Sequence, residues 1–252
     1  MSTKPIHSWP DTIQLHETAG SSNDLAKELV AKSEPLAPVT LIWVKNQTAG
    51  RGRRQNRWQA TTGALTFSII LDTKALKLRP ETWPLISLAS GLAVRRALQQ
   101  LLPDAPLSVK WPNDVYIANR KICGILIEAS PAKLNALILG IGVNVNNPIT
   151  PTADIATSAI SLCELRNDLS VTDVLSAVLD ALQAGICELR NSPDSVVCEL
   201  RTCSYLTGRK VTISTEHDST TGICRNVNAD GALVLQTPTG FSAHVAGTVT
   251  LT

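Results

Sequence analysis

Aromatic residues are scarce in this chain of 252 residues: five Trp, two Tyr and two Phe make up 4% of it. So thin a supply leaves few platforms on which unpaired bases could stack, which argues against a nucleic-acid-binding module. Long apolar runs are also missing. No window holds the roughly 18 to 20 uninterrupted apolar residues that a membrane span needs. Lys4, His7 and Pro10 stand where a signal peptide would carry its apolar core, so a cytoplasmic protein with no membrane partner is expected. The six cysteines, Cys123, Cys163, Cys187, Cys198, Cys203 and Cys224, contain no C-x-x-C pair. Neither a zinc site nor a disulfide framework is indicated, and they read as reduced and mostly core. The two common nucleotide-binding patterns, G-x-x-x-x-G-K-[ST] and G-x-G-x-x-G, do not occur.

What is present is an ordinary globular composition, 44% hydrophobic and 17% charged, in a length that suits one large domain or one with a small satellite. The net charge is only +2, which argues against a general polyanion binder, but the charge is unevenly spread. Residues 1–128 carry 16 Lys and Arg against 10 Asp and Glu, and residues 129–252 carry 7 against 11. No acid occurs from Pro35 to Leu71, a stretch that contains Lys45, Arg51, Arg53, Arg54 and Arg57. Such a local field suits a nucleotide.

Ser21 and Asp24 stand at capping-box spacing before Leu25, Leu29 and Val30, which predicts a first helix at about 21–33 after a short irregular start. Val39 to Val44 and Ala64 to Leu71 read as strands on either side of the basic segment. Leu85, Leu88, Leu92 and Leu98 predict one amphipathic helix from Glu81 to Leu102, with Pro84 in its first turn. The closely spaced strands Leu107–Trp111, Val115–Ile117, Ile122–Glu128 and Ala136–Val145 suggest antiparallel neighbours. Thr172–Asn191 is the clearest helix, and beyond Cys203 four short strands, Lys210–Thr215, Thr221–Val227, Ala232–Leu235 and Ser242–Leu251, predict a small all-β barrel.

Three segments carry chemistry. The first is Gln47-Thr48-Ala49-Gly50-Arg51-Gly52-Arg53-Arg54-Gln55-Asn56-Arg57-Trp58. Its glycines permit tight backbone turns, and each guanidinium offers planar paired donors to phosphate or carboxylate. Composition alone leaves a solvated basic loop or an RNA-contacting arm as the other reading. The second is Lys110-Trp111-Pro112-Asn113-Asp114, followed by Asn119-Arg120-Lys121-Ile122-Cys123-Gly124-Ile125-Leu126-Ile127-Glu128. It concentrates a lysine, an amide and a carboxylate where two strands meet, a corner able to hold a metal-bound phosphate, and puts Lys121 at the rim of a groove. The third, Gly140-Ile141-Gly142-Val143-Asn144-Val145-Asn146, places two glycines in a strand. They mark either close backbone approach or a bulge at a sheet edge, and an edge there could pair two chains.

These strings, in this order, resemble the bacterial biotin–protein ligases, and Ser21-Ser22-Asn23 resembles that family's Ser-Thr-Asn segment; the match runs from about Glu17 to the C-terminus. The resemblance implies an α+β fold. A mixed β-sheet with packed helices, like the class II aminoacyl-tRNA synthetases and the biotin–lipoate ligases, would span 1–204, and an SH3-like barrel would follow at 205–252. It implies an ATP-dependent ligase that joins biotin and ATP into biotinyl-5'-AMP, releases pyrophosphate, and transfers biotin to a lysine of the biotin carboxyl carrier protein or domain of acetyl-CoA carboxylase. Mg²⁺ would accompany the nucleotide, and the enzyme would act as a monomer or homodimer.

Carried over by position, the resemblance assigns biotin contacts to Ser21, Ser22, Asn23, Gln47, Gly50, Arg51, Gly52, Arg53, Trp58, Lys121 and Gly124. Contacts to ATP or the adenylate fall to Arg51, Arg53, Arg57, Trp58, Lys110, Asn113, Lys121 and Asn144, and the metal to Asp114. Lys121, Arg53 and Arg51 would be catalytic. Gln55-Asn56 replaces the family's usual Gly-Arg, so the loop is expected to be stiffer and to lack one cation unless Arg57 supplies it. Only 16 residues precede Glu17, so the winged-helix repressor domain of bifunctional members is not expected, nor any DNA partner. A lipoate–protein ligase shares the chemistry but would not be expected to show the Gly-Arg loop or the terminal barrel.

Overall fold

The protein is described from a computed structural model, which covers residues 9–32, 35–54, 56–149, 159–216 and 218–252. Seven strands form one mixed sheet: β1 (Thr12–Ala19), β2 (Val39–Gln47), β3 (Leu65–Asp72), β4 (Leu107–Lys110), β5 (Asp114–Ile117), β6 (Arg120–Ala129) and β7 (Ala136–Val143). Their spatial order is β1-β2-β3-β7-β6-β5-β4, with β1 and β2 parallel and every other neighbour antiparallel. β1 was not expected. His16 and Glu17 hide its pattern because it is an edge strand, and Ile13 and Leu15 remain exposed.

β3 and β7 read as continuous apolar runs because both their faces are covered. On one face lies α1 (Ser22–Ala31), whose Ala26 and Val30 meet Ile42, Val44, Ile70 and Ile138. On the other lie α2 (Ile86–Leu101) and α3 (Val171–Asn191), over a core that includes Leu41, Phe67, Ile69, Leu92 and Val178. Each such large apolar side chain taken fully out of water contributes about 1.5–3 kcal/mol. α4 (Pro193–Thr202), which the sequence reading passed over, completes this layer. Arg96 of α2 bridges Glu188 of α3 and Glu199 of α4.

The helix expected at 81–102 is two pieces: a 3₁₀ turn, Pro80–Leu85, precedes α2, since Pro84 cannot donate into an α-helical ladder. Ser21 takes the N-cap position of α1 with extended backbone, but its side chain makes no capping bond, so the expected capping box does not form. β7 is a central strand with unbroken register to β3 and β6, so the bulge reading and the chain-pairing edge at 136–146 are both wrong. Among the cysteines, Cys187 and Cys198 are exposed and Cys163 is half-buried, so half of the six fall outside the core.

The rest of the chain forms a five-stranded antiparallel sheet, β8 (Lys210–Ser214), β9 (Ser219–Val227), β10 (Leu233–Thr237), β11 (Gly240–His244) and β12 (Thr248–Leu251), in the order β11-β10-β9-β8-β12. The strand expected at 242–251 is divided at Gly247, which has φ +154°. The small sheet shares a buried apolar cluster with the large one, through residues such as Val211 and Leu233, and hydrogen bonds also join them. Val109 of β4 exchanges backbone hydrogen bonds with Cys203 and Tyr205, and the Trp111 indole donates to the Gly231 carbonyl at 2.9 Å.

Candidate active site

A cleft of about 180 Å³, open at its mouth, runs between the start of α1, the ends of β2, β6 and β7, and the small sheet. Glycines make its floor. A Cβ at Gly140 would stand 2.1 Å from Asn23 Oδ1, and one at Gly142 would stand 2.4 Å from the Trp58 ring. Real side chains do not approach so closely, so of the two readings of this pair close approach is the right one.

At the inner end the chain turns sharply into α1, which buries Ser21, Ser22 and Asn23. The Ser22 amide donates to Gln47 Oε1 at 2.6 Å. The fully buried hydroxyl of Ser68, on β3, stands 2.7 Å from Ser22 Oγ and 2.5 Å from Asn23 Oδ1. Asn23 Nδ2 donates to Glu128 Oε2 at 2.8 Å, and Glu128 also receives Lys27 at 2.7 Å and the Arg51 guanidinium. Burial raises the carboxyl pKa of Glu128, but the bonds from Lys27 and Asn23 and the nearby charges outweigh it and hold the group below the usual range.

The mouth is cationic. Arg51, Arg53, Arg54, Arg57, Lys110 and Lys121 line the cleft against one acid, Asp114. Asp114 Oδ1 is 2.6 Å from Lys121 Nζ: in the antiparallel pair of β5 and β6 Lys121 stands opposite Tyr116, past a register shift, and reaches diagonally to Asp114 two residues away. Lys121 Nζ also lies 5.8 Å from the centre of the Trp58 ring, where cavity floor and mouth meet. Lys110 sits 5.1 Å from the Tyr116 ring centre, and burial pushes its ammonium below the ordinary lysine range, with Lys121 adding to the effect against the pull of Asp114. Burial likewise lowers Arg53, helped by Arg54 and opposed by Asp114.

The basic segment folds as a small hairpin. Arg51 bridges Arg57, Gly52 N donates to Asn56 O, Trp58 N donates to Gly50 O, and Arg54 takes φ +59° at the tip. It is held on two sides. Arg51 reaches Glu128 and lies 3.3 Å from Asp24, while Arg53 reaches Asn113 Oδ1 at 3.3 Å and Arg54 donates to Thr248 Oγ1 at 2.7 Å and Ser214 O at 3.2 Å. Gln55, on which the expected stiffening by Gln55-Asn56 depends, lies outside the described residues.

Of the sequence-derived site residues, all but two line the cleft. Gly50 lies behind it, closing the base of the hairpin, where a Cβ would meet Trp58 O at 2.4 Å. Asn144 also stands away from the lining: its amide donates to Ile160 O at 3.1 Å and its oxygen accepts from Asn147. Sequence reasoning gave no site role to Ser68, Asp24, Lys27 or Glu128. Glu128 had a signal, because Gly124, Leu126 and Glu128 alternate onto one face of β6.

Residues 17–146 match the family model described as the biotin/lipoate A/B protein ligase family. A biotin–[acetyl-CoA-carboxylase] ligase of Mycobacterium tuberculosis is 31% identical over 90% of this chain and 84% of its own length. One from Paracoccus denitrificans is 28% identical over 79% and 85%. The solved biotin protein ligase of Aquifex aeolicus, in complex with biotin and ATP, superposes with a TM-score of 0.83 at 27% identity, covering 96% of this chain and 99% of that one.

Proposed function

The chain belongs to the biotin/lipoate A/B protein ligase family and is an ATP-dependent biotin–protein ligase, and from that premise we propose how its residues divide the work. Its fold is the expected α+β class, a mixed sheet with packed helices and a small SH3-like C-terminal unit. Its substrates are biotin and ATP, and its acceptor is a biotin-carrier protein. We place the boundary between catalytic and C-terminal units at 204/205. The acceptor we take to be the carboxyl carrier protein or domain of acetyl-CoA carboxylase, after the names of the two relatives. The reaction we place in the cytoplasm, carried out by a monomer or homodimer without a DNA-binding role.

The observation that carries the residue roles is the position of Lys121, between the glycine floor under Trp58 and the cationic mouth. Biotin's ureido ring needs donors and acceptors at fixed angles, which Ser22, Asn23 and Gln47 offer at the inner end, with Ser21 beside them. Its apolar tail would lie along Gly124 and Gly142 in place of the Trp58 ring, which packs on both glycines here and would move outward to cover the tail, leaving the carboxylate beside Lys121. That carboxylate attacks the α-phosphorus of ATP; the bond to pyrophosphate breaks as the new acyl–phosphate bond forms. Both reactants are anions, so catalysis here is positioning and charge neutralisation by Lys121, Arg51 and Arg53, with Lys110, Asn113 and Arg57 on the phosphates. No covalent enzyme nucleophile is needed. The mixed anhydride is water-labile, which gives the 50–58 hairpin its purpose as a cover. The carrier amine then attacks the acyl carbon, AMP leaves, and the nitrogen loses its proton.

Among the described residues no three His, Cys, Asp or Glu side chains cluster as a metal cage. Asp114 offers one carboxylate beside the cations, which fits Mg²⁺ that arrives bound to the triphosphate and takes a single protein carboxylate. When bound, the ion neutralises phosphate charge.

The test is transfer of labelled biotin to a purified carrier domain with ATP and Mg²⁺, with lipoate as the control. Label on the carrier lysine, dependent on ATP, is the expected result; label from lipoate with none from biotin would refute it.

A further inference from the structure

Glu128 does not line the cleft, yet two residues that do meet on one of its oxygens. Oε2 accepts from Asn23 Nδ2 at 2.8 Å and from the Arg51 guanidinium of the hairpin, while Oε1 is taken by Lys27 at 2.7 Å. Asn23 is buried, its oxygen receives the Ser68 hydroxyl at 2.5 Å, and Gly140 beneath it leaves no room for any larger side chain. An amide can be placed two ways in such a slot, with its oxygen and nitrogen exchanged. Turning it over would aim the Asn23 oxygen at an ionised carboxylate, acceptor against acceptor, and leave Ser68 facing an N–H. Glu128 thereby fixes which end of Asn23 donates.

We propose that Glu128 is a positioning residue for biotin recognition, which orients the Asn23 amide toward the ureido group and, through the oxygen it shares with Arg51, ties closure of the hairpin to occupancy of that subsite. This rests on the assignment of Asn23 to the biotin subsite. A buried amide held the wrong way round for half its time offers its ligand an unpaired group, so biotin should bind more weakly while the reacting carboxylate, once bound, still sits beside Lys121.

In biotin-dependent ATP–pyrophosphate exchange, Glu128→Gln is therefore expected to raise the KM for biotin about tenfold, with kcat within about threefold of wild type. The biotin concentration that protects the hairpin arginines from trypsin should rise by the same factor. In Asn23→Ala, where no amide remains to be oriented, adding Glu128→Gln should raise KM no further. Should Glu128→Gln fail to fold by thermal melting, Ser68→Ala, which frees the other side of the same amide, is expected to give the same rise in KM alone. An unchanged KM, a fall in kcat at constant KM, or additive effects of the Asn23 and Glu128 changes would overturn the proposal. The ligase assignment fails separately, on absence of exchange in the wild-type protein.

Discussion

At the inner end of the cleft Ser22, Ser68, Asn23 and Glu128 are joined by successive hydrogen bonds, and each is fixed by its neighbours. At the mouth six cations and one carboxylate line the cleft; Arg51 turns back to Glu128 and Asp24, but the others share Asp114, and Lys110 and Arg53 have their charge disfavoured by burial. A neutral bicyclic ring needs a rigid mould, since its recognition depends on the angles of a few hydrogen bonds. A triphosphate and a carboxylate need the opposite: positive charge left under-compensated until the anions arrive. The same cleft therefore holds a finished half and an unfinished half, and Lys121 stands on the border.

The largest effect should come from that border. Lys121→Ala removes the one ammonium placed between floor and mouth, and loss of a single such charge-stabilising donor costs about 10²–10³ in rate. Pyrophosphate exchange at saturating biotin and ATP should fall by that factor while the melting profile stays close to wild type, because the side chain is part-exposed and packs no core. Exchange at the wild-type rate would show that the border lies elsewhere.

A change on the floor should strike the finished half alone. Gly140→Ala places a methyl 2.1 Å from Asn23 Oδ1, a distance only relieved by moving the amide. A displacement of that size is expected to raise the KM for biotin by about 10- to 100-fold, with the KM for ATP unchanged. If both constants rose together the two halves would be one unit and the contrast would be lost.

Much of this was legible in the chain, and what was not has a physical cause. The strands β4 to β7 and the helix α3 could be read because their apolar periods are set locally, and the hairpin and the corner at 110–114 announced themselves as dense runs of Gly, Arg, Lys and Asp. β1 escaped because an edge strand need not alternate cleanly, and α4 because its ten residues, with Val196, Val197 and Leu200 as the buried ones, are too few for a clear period. Gly247, dividing β11 from β12, gave no sign in composition. Within the site, the residues that contact the cleft were found by motif, but the ones that hold them were not. Ser68 lies 45 residues from Asn23, and Glu128 lies 105 from it, and no local pattern reports such pairings. Asn144 shows the converse: a motif position whose side chain is spent on a buried network with Ile160 and Asn147.

The smallest expected effect concerns how loosely the mouth is held. Arg54 ties the hairpin tip to the small sheet through Thr248 and Ser214, but the residue is exposed, and exposed polar contacts of this kind contribute about 0–1 kcal/mol. Arg54 also holds φ +59°, where alanine is strained much as arginine is, so Arg54→Ala removes the side-chain tether while leaving the backbone cost in place. Release of biotinyl-5'-AMP in the absence of carrier, followed by filtration or fluorescence, should then quicken by about two- to fivefold. Unchanged release would mean that the small sheet does not brace the hairpin. A hundredfold acceleration would mean that the mouth is as firmly built as the inner end, and the difference between the two halves would have to be sought in charge alone.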